Sequence, residues 1–220
     1  MSEKDDSVVL RKRLDDVVLR LTEMIKADVY ENIIVATVRD WFEGNESVIQ
    51  LNDAIRTNVQ KRWPFVERKI AAELYEFQQK VKVPASACSG PDVGRLLNEQ
   101  GVSEAVGQTI SAAIGAIGTA LVAMVSGGAG TALIAAGPVG WVIGAIIGAL
   151  AFFLGKSKIE KEISSRIADK RIPAFLKKAA KSKVAAQLKL GEAHFEEQVY
   201  GLLREKLGPL YDMAEHGLDQ

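Results

Sequence analysis

The chain has 220 residues with 28 basic and 28 acidic side chains, so its formal net charge is zero. A balanced charge gives no general attraction for nucleic acid, and we expect no nucleic-acid partner. The single cysteine, Cys88, excludes an intrachain disulfide and any site with several cysteine ligands. The composition is poor in proline and aromatic residues and favours an all-α fold of long amphipathic helices, either elongated or bundled.

Residues 1–83 carry apolar side chains at helical spacing and are predicted to form amphipathic helices. The first stripe begins with Leu10, Leu14, Val17 and Leu21. This pattern continues to a predicted stop at Gly44. Residues 47–50 read Ser-Val-Ile-Gln, a capping-box pattern that predicts the start of a second helix. Trp63-Pro64 predicts a kink or short break in that helix, because proline lacks the backbone donor.

The most distinctive stretch runs from Ala105 to Gly155 and contains no Asp, Glu, Lys or Arg. It follows a predicted linker at 84–92, which reads PASACSGPD. The turn-forming sequence SGGAG, at 126–130, divides the stretch into two apolar arms. Each arm is near the roughly 20 residues that an α-helix needs to cross the hydrocarbon core of a bilayer. The region 93–190 is therefore predicted to contain a central, glycine-rich hydrophobic helical hairpin that meets a membrane.

The large apolar side chains of the two arms are predicted to contact lipid. They are Ile114, Leu121, Trp141, Ile143, Ile147, Phe152 and Phe153. Glycines at four-residue spacing allow two helix backbones to approach closely where no hydrophobic force acts between helices. The predicted packing positions are Gly115, Gly140, Gly144 and Gly148. Their packing partner is either the other arm or a neighbouring copy, and we expect a homo-oligomer or a helical partner protein.

Residues 156–190 are strongly basic and are predicted to form two helices with a break at Pro173. Each Lys or Arg beside an anionic cytoplasmic leaflet contributes about 1 kcal/mol to binding. We therefore expect anionic lipid as a partner and both ends of the hairpin on the cytoplasmic side. The predicted lipid contacts are Lys156, Lys158, Lys161, Arg166, Lys170, Arg171, Lys177 and Lys178. Gly191 is predicted to end this section, and 191–220 to hold a C-terminal helix.

No pattern predicts catalysis, and we expect a protein that is not an enzyme and holds no cofactor or metal. Gly-Lys-Ser at 155–157 resembles the end of a phosphate-binding loop, but the position of its first glycine holds Leu150. His194 and Glu197 share a helix face and supply only two metal ligands. Cys88 lies in the linker without a nearby histidine, which argues against a catalytic thiol.

The long polar helices, the uncharged hairpin and the basic continuation KSKIEKEI resemble the helical stalk and membrane paddle of bacterial dynamin-like proteins. The resemblance covers mainly residues 92–190. It implies that the hairpin inserts into lipid to anchor, tether or remodel a membrane, with Trp141, Phe152 and Phe153 as lipid contacts. The GTPase motifs of that family are missing from this sequence, so the implied role is a stand-alone stalk, a fragment, or the partner of a separate GTPase.

Three other interpretations remain open. The chain is also similar to pore-forming, colicin-type toxin domains, although those hairpins usually lie close to the C-terminus. A second alternative is a membrane-anchored scaffold that pairs with a partner through the stripe that begins at Leu10. The third is a soluble bundle that buries the hairpin, since a chain of this length is large enough to hide it.

Overall fold

The computed structural model describes residues 3–44, 46–80, 93–126, 142–144, 146 and 174–216. These residues contain helices and no strand, which confirms the predicted all-α class. The helices in chain order are α1 (Glu3–Ile25), a π-helix (Lys26–Val35), α2 (Ala36–Glu43), α3 (Val48–Lys80), α4 (Val93–Ser126), α5 (Ala174–Lys206) and α6 (Gly208–His216). The predicted linker, the hairpin turn and most of the second arm lie outside the described residues.

The boundary between α2 and α3 follows the sequence signals. Helix α2 ends at Gly44, whose backbone N–H donates to Asp40 O at 3.0 Å. Ser47 N donates to Gln50 Oε1 at 2.8 Å, and Gln50 N donates to Ser47 Oγ at 3.3 Å. These reciprocal bonds satisfy two backbone donors that the first turn of α3 leaves without a helical acceptor. The predicted capping box is confirmed.

The π-helix replaces part of what the sequence predicts as one regular amphipathic helix. Its buried side chains are Asp28, Val29, Tyr30, Ile33 and Ile34. An α-helix repeats every 3.6 residues, whereas a π-helix closes its bonds over five. The buried positions 21, 25, 29 and 33 are four apart and 33 and 38 are five apart, so most of this spacing also fits an α-helix. The spacing of the apolar residues does not distinguish this π-helix from an α-helix.

The predicted helix end at Gly191 is wrong, and so is a break at Trp63-Pro64, while the alternative of a kink at Pro64 stays a prediction. Helix α3 continues through Trp63-Pro64 without a break, and α5 continues through Gly191. An internal proline costs a helix about 3 kcal/mol and an internal glycine about 1 kcal/mol relative to alanine. Buried apolar residues on both sides of each site, such as Val59 and Val66 around Pro64, stabilise the continuous helices against these costs.

The chain divides into two compact units. The first comprises Met1–Glu23, Phe65–Thr119 and Tyr200–Gln220. Its buried aliphatic and aromatic side chains include Leu14, Val17, Val18, Leu21, Val66, Ile70, Leu74, Phe77, Ile110, Ile117, Leu203, Leu207 and Leu210. Polar contacts also join its helices. Arg20 Nε donates to Glu73 Oε2 at 3.1 Å, and Tyr211 Oη donates to Asp15 Oδ1 at 2.7 Å. Three members of the stripe that the scaffold interpretation assigns to a partner, Leu14, Val17 and Leu21, are thus buried in the chain's own core.

The second unit comprises Met24–Pro64 and Ala120–Val199. In it the π-helix and α2 run antiparallel to α5, as three contacts show. Lys26 Nζ lies 2.7 Å from Glu196 Oε2, Tyr30 Oη donates to Leu188 O at 2.6 Å, and Lys177 Nζ donates to Gly44 O at 2.9 Å. The Tyr30 ring also packs on Phe195 with centroids 5.3 Å apart. This pairing positions the first half of α5, which follows the predicted membrane hairpin in sequence.

Replacing Ser47 with alanine is expected to lower the free energy of unfolding by about 1 kcal/mol, because α3 loses its N-terminal cap. The measurement is urea denaturation followed by circular dichroism. The matched control is Ser182→Ala, which removes an exposed hydroxyl within α5 and should change stability by less than about 0.5 kcal/mol. Equal effects of the two substitutions would contradict the capping role.

Replacing Tyr30 with phenylalanine is expected to cost about 1 kcal/mol near neutral pH, because the hydrogen bond from the Tyr30 hydroxyl to Leu188 O is lost. Burial raises the pKa of the Tyr30 phenol, and Glu192 raises it further. Above about pH 10 the unfolded phenol ionises while the folded one stays protonated, so the wild-type protein loses stability that the variant keeps.

The difference in the free energy of unfolding between the wild type and the Tyr30→Phe variant should therefore shrink as the pH rises above the pKa of the phenol in the unfolded chain. Urea denaturation across a series of alkaline pH values measures this difference. Tyr75→Phe is the control, since the Tyr75 side chain is exposed and its oxygen lies 3.5 Å from Ser111 Oγ. A difference that stays constant with pH would contradict this assignment.

Candidate membrane-interaction site

Helix α4 carries the strongest membrane signal in the described part of the chain. Val106–Val125 is the one described helical segment long and apolar enough to cross a bilayer, with 20 residues and a mean hydropathy of 1.7. At 1.5 Å per residue this segment is about 30 Å long, which matches the hydrocarbon thickness. Only 33% of its apolar window is buried within the chain. The predicted apolar arm is thus a helix, and much of it faces outward.

The two sides of α4 differ in side-chain size. The buried side holds Val106, Ile110, Ala113, Ile117, Leu121 and Val125 at spacings of three and four. The exposed side holds Gln108, Ser111, Ala112, Gly115, Ala116, Thr119 and Ala123. Most of the large aliphatic residues are therefore covered, while the outward surface is built from small residues and one glutamine. This division covers most of the large apolar residues of a helix that has no charged residue between positions 105 and 126.

Part of the small-residue side packs closely on α3. A Cβ added at Gly107 would lie 2.8 Å from Gln78 Nε2, so this position requires glycine or a shift of the Gln78 amide. One turn later, Ser111 Oγ lies 3.5 Å from Tyr75 Oη. The Ser111 hydroxyl also donates to Gly107 O at 3.0 Å. Small residues therefore allow close helix approach within this chain, as they do between membrane helices.

Gly115, the predicted packing glycine of the first arm, has open space around it. No described atom lies within 4 Å of a Cβ built at this position. Thr119 follows one turn later and is exposed, and its hydroxyl donates to Gly115 O at 3.0 Å. This bond satisfies the hydroxyl within the helix itself. A packing role for Gly115 requires a partner other than the described residues and stays a prediction.

The other predicted lipid-facing residues are placed differently from one another. Ile114 is half-buried, whereas Leu121 and Ile143 are buried in the protein core. Leu121 and Ile143 are therefore covered by protein in this fold and would contact lipid only after the surrounding core opens. Gly144 is half-buried within the short helical piece at 142–144. Trp141, Ile147, Phe152, Phe153, Gly140 and Gly148 lie outside the described residues.

Lys177 is not at the surface, which corrects its assignment as a lipid contact. Its side chain is 2% exposed, and its ammonium donates to Trp41 O at 2.6 Å and to Gly44 O at 2.9 Å. The same ammonium lies 4.0 Å from the centroid of the Trp41 ring. Burial lowers the pKa of Lys177, and Glu46 acts in the opposite direction. Carbonyls at the C-terminus of α2 carry partial negative charge, so they stabilise a buried cation there.

Lys178, the next predicted contact, is exposed as expected. Between Ala174 and Gly191, helix α5 contains five lysines and no acidic residue. Four of them, Lys178, Lys181, Lys183 and Lys189, are exposed. The basic character predicted for 156–190 therefore extends along the surface of α5. The predicted contacts Lys156, Lys158, Lys161, Arg166, Lys170 and Arg171 lie outside the described residues.

The described residues contain no group of three side chains suited to a metal ion. His194 is exposed, and its Nε2 lies 3.0 Å from Gln198 Nε2 on the next turn of α5.

No protein-family model, curated protein or solved structure matches the chain. The uncharged helix α4 and the lysine-rich surface of α5 are the features of the described residues that point to a function.

Replacing Gly115 with leucine is expected to leave the fold intact, since the added side chain meets open space. The gain in helix propensity should raise the free energy of unfolding by up to about 1 kcal/mol. If Gly115 packs against a neighbouring copy, the leucine side chain should block that contact. Cross-linking between copies on liposomes by an added chemical reagent should then be lost.

Gly201→Leu is the matched control, because Gly201 is also exposed within a helix and has open space around it. It should stabilise the protein similarly and leave cross-linking unchanged. Identical cross-linking patterns for the two variants and the wild type would show that Gly115 does not pack between copies.

Proposed function

We propose that this chain is a membrane-associated helical protein that inserts its uncharged segment, residues 105–155, into lipid in order to anchor, tether or remodel a membrane. The observation that carries the proposal is the segment Val106–Val125, which is long enough to span a bilayer and has only 33% of its apolar window buried within the chain. The lysine-rich surface of α5 supports a location at an anionic, cytoplasmic membrane face.

The distribution of side chains on α4 favours conditional insertion. Small exposed residues gain little from lipid, whereas the large buried ones gain more, since transfer free energy scales with apolar area. Ile110, Ile117 and Leu121 are each at most 1% exposed, so most of the apolar surface of α4 is withheld from lipid in the soluble fold. Insertion therefore exchanges burial in the protein for burial in the bilayer.

A soluble bundle is the second candidate, and the burial of the large residues of α4 favours it. It differs from the first in one measurable respect, since a purely soluble protein has no affinity for vesicles. A pore-forming role uses the same lipid-seeking segment and differs in its outcome, since a pore releases vesicle contents. A helical partner, including a separate GTPase suggested by the resemblance to dynamin-like proteins, belongs to the remodelling proposal.

Replacing Ala116 with lysine is expected to prevent recovery of the protein with anionic liposomes in a flotation assay. Ala116 is exposed in the soluble fold, so a lysine is tolerated there in water. At the centre of a membrane-spanning helix a lysine costs about 2.5 to 3.5 kcal/mol. Ala72→Lys is the matched control, because it adds the same charge at an exposed position of α3, outside the uncharged segment.

The wild-type protein and the Ala72 variant should float with the vesicles, and their binding should weaken with added salt. Dye release and electron microscopy of the same samples separate the alternatives. Rapid dye release favours a pore, and deformed or tethered vesicles that keep their dye favour anchoring or remodelling. Flotation of the Ala116 variant equal to wild type would rule out insertion of α4, and no flotation of the wild type would favour the soluble bundle.

A further inference from the structure

A groove lies within the second unit, between the π-helix and α2 on one side and α5 on the other. Its volume is about 300 Å³, at the lower limit of the roughly 300 to 1,000 Å³ typical of ligand sites. Its apolar lining consists of Val35, Val38, Phe42, Ala185 and Leu188. Of these, Val38 is buried and the others are half-buried or exposed. The groove thus presents accessible apolar surface between two helical segments.

Charged side chains form the rim of this groove, with cations in excess. They are Glu31, Arg39, Lys181, Lys189 and Glu192. Lys26 Nζ lies 4.0 Å from Glu192 Oε1, which offsets one of the two acidic groups. Lys181 Nζ lies 3.4 Å from Glu43 Oε1, but both side chains are more than half exposed, so this pair is weak. Among the described residues, Arg39 and Lys189 take part in no ion pair.

We propose that this groove binds one anionic phospholipid, with part of an acyl chain on the apolar lining and the phosphate at Arg39 and Lys181. The inference deepens the proposed function, on which it rests, by naming a specific lipid site distinct from the inserting helix. A phosphate accepts charge-assisted hydrogen bonds from both cations. The apolar lining then covers the adjacent methylene groups of the chain.

The surroundings favour a lipid over other anionic ligands. Lys178 precedes Lys181 by three positions and therefore lies on the same side of α5. The face of α5 that lines the groove thus carries a further exposed lysine beyond the groove. This additional positive charge favours contact with an anionic bilayer surface. Long lysine side chains can lay their methylene stems along apolar surface while the ammonium reaches the headgroup. A free phosphate would use only the rim and leave the apolar lining uncovered.

The test uses the full chain and decyl phosphate, a single-chain anionic amphiphile, at concentrations below micelle formation. Isothermal titration calorimetry and native mass spectrometry should show saturable binding of one molecule per chain. Decyl maltoside, which has a neutral headgroup, and inorganic phosphate are the two comparison ligands. Both should bind at least about tenfold more weakly, since each lacks either the charge or the chain.

Two variants address the two halves of the site. Ala185→Phe fills the groove from an exposed position, and Arg39→Gln combined with Lys181→Gln removes two rim cations. Each should weaken decyl phosphate binding at least about tenfold. Lys183→Gln is the matched control and should leave the affinity within about twofold, because position 183 lies about 200° around α5 from Lys181. Circular dichroism establishes that each variant folds. If Ala185→Phe disturbs the helix, the variant with both Arg39→Gln and Lys181→Gln still tests the site.

Absence of saturable binding to the wild type would overturn the proposal, as would equal affinity for decyl maltoside or full competition by inorganic phosphate alone. Unchanged affinity in both groove variants would overturn it as well. The proposed function fails separately, through absence of vesicle flotation. Binding of monomeric decyl phosphate without flotation would support the groove and contradict membrane insertion, whereas flotation without monomer binding would do the reverse.

Discussion

Helix α4 sets the main constraint on this chain, because it has no charged residue between positions 105 and 126 and its large apolar side chains must be covered. The constraint is met by sorting side chains by size around the helix. Residues such as Ile110 and Ile117 are buried, and residues such as Ala112 and Ala116 face outward. The rest of the described fold supplies the surfaces that cover the large residues, and the close approach of Gln78 to Gly107 shows how tightly α3 does so.

The same arrangement has consequences for a lipid environment. Backbone and hydroxyl groups must be satisfied internally in a bilayer, and Thr119 already donates to the carbonyl of Gly115 within its own helix. Under the proposed function, α4 can therefore enter lipid without carrying an unsatisfied hydroxyl donor at this position. The driving force lies mainly in the covered aliphatic side, so entry depends on how readily the soluble core opens. The difference in free energy between covering the aliphatic side of α4 with protein and covering it with lipid decides whether the chain is a bundle or a membrane protein.

Helix α5 is held in the second unit by polar contacts to backbone carbonyls as well as by apolar packing. Lys177 reaches the C-terminal carbonyls of α2, and Tyr30 reaches Leu188 O in the middle of α5. Burying a lysine without partners would be costly, but the two carbonyls and the Trp41 ring compensate for the lost hydration. This anchoring fixes the direction of α5 and hence which of its lysines face outward. Helix α5 also forms one wall of the groove proposed as a lipid site.

Sequence patterns alone determine the helical class, the capping box at Ser47 and the uncharged segment, because these depend on neighbours within one or two turns. Long-range packing decides what the patterns leave open. It carries α3 through Pro64, where local propensity predicts a kink or short break, and α5 through Gly191, where local propensity predicts an end. It also separates Lys177, which is buried, from Lys178, which is exposed, although both belong to the same basic run. Adjacent residues on a helix point about 100° apart, so only the position of the neighbouring helix determines which one meets the core.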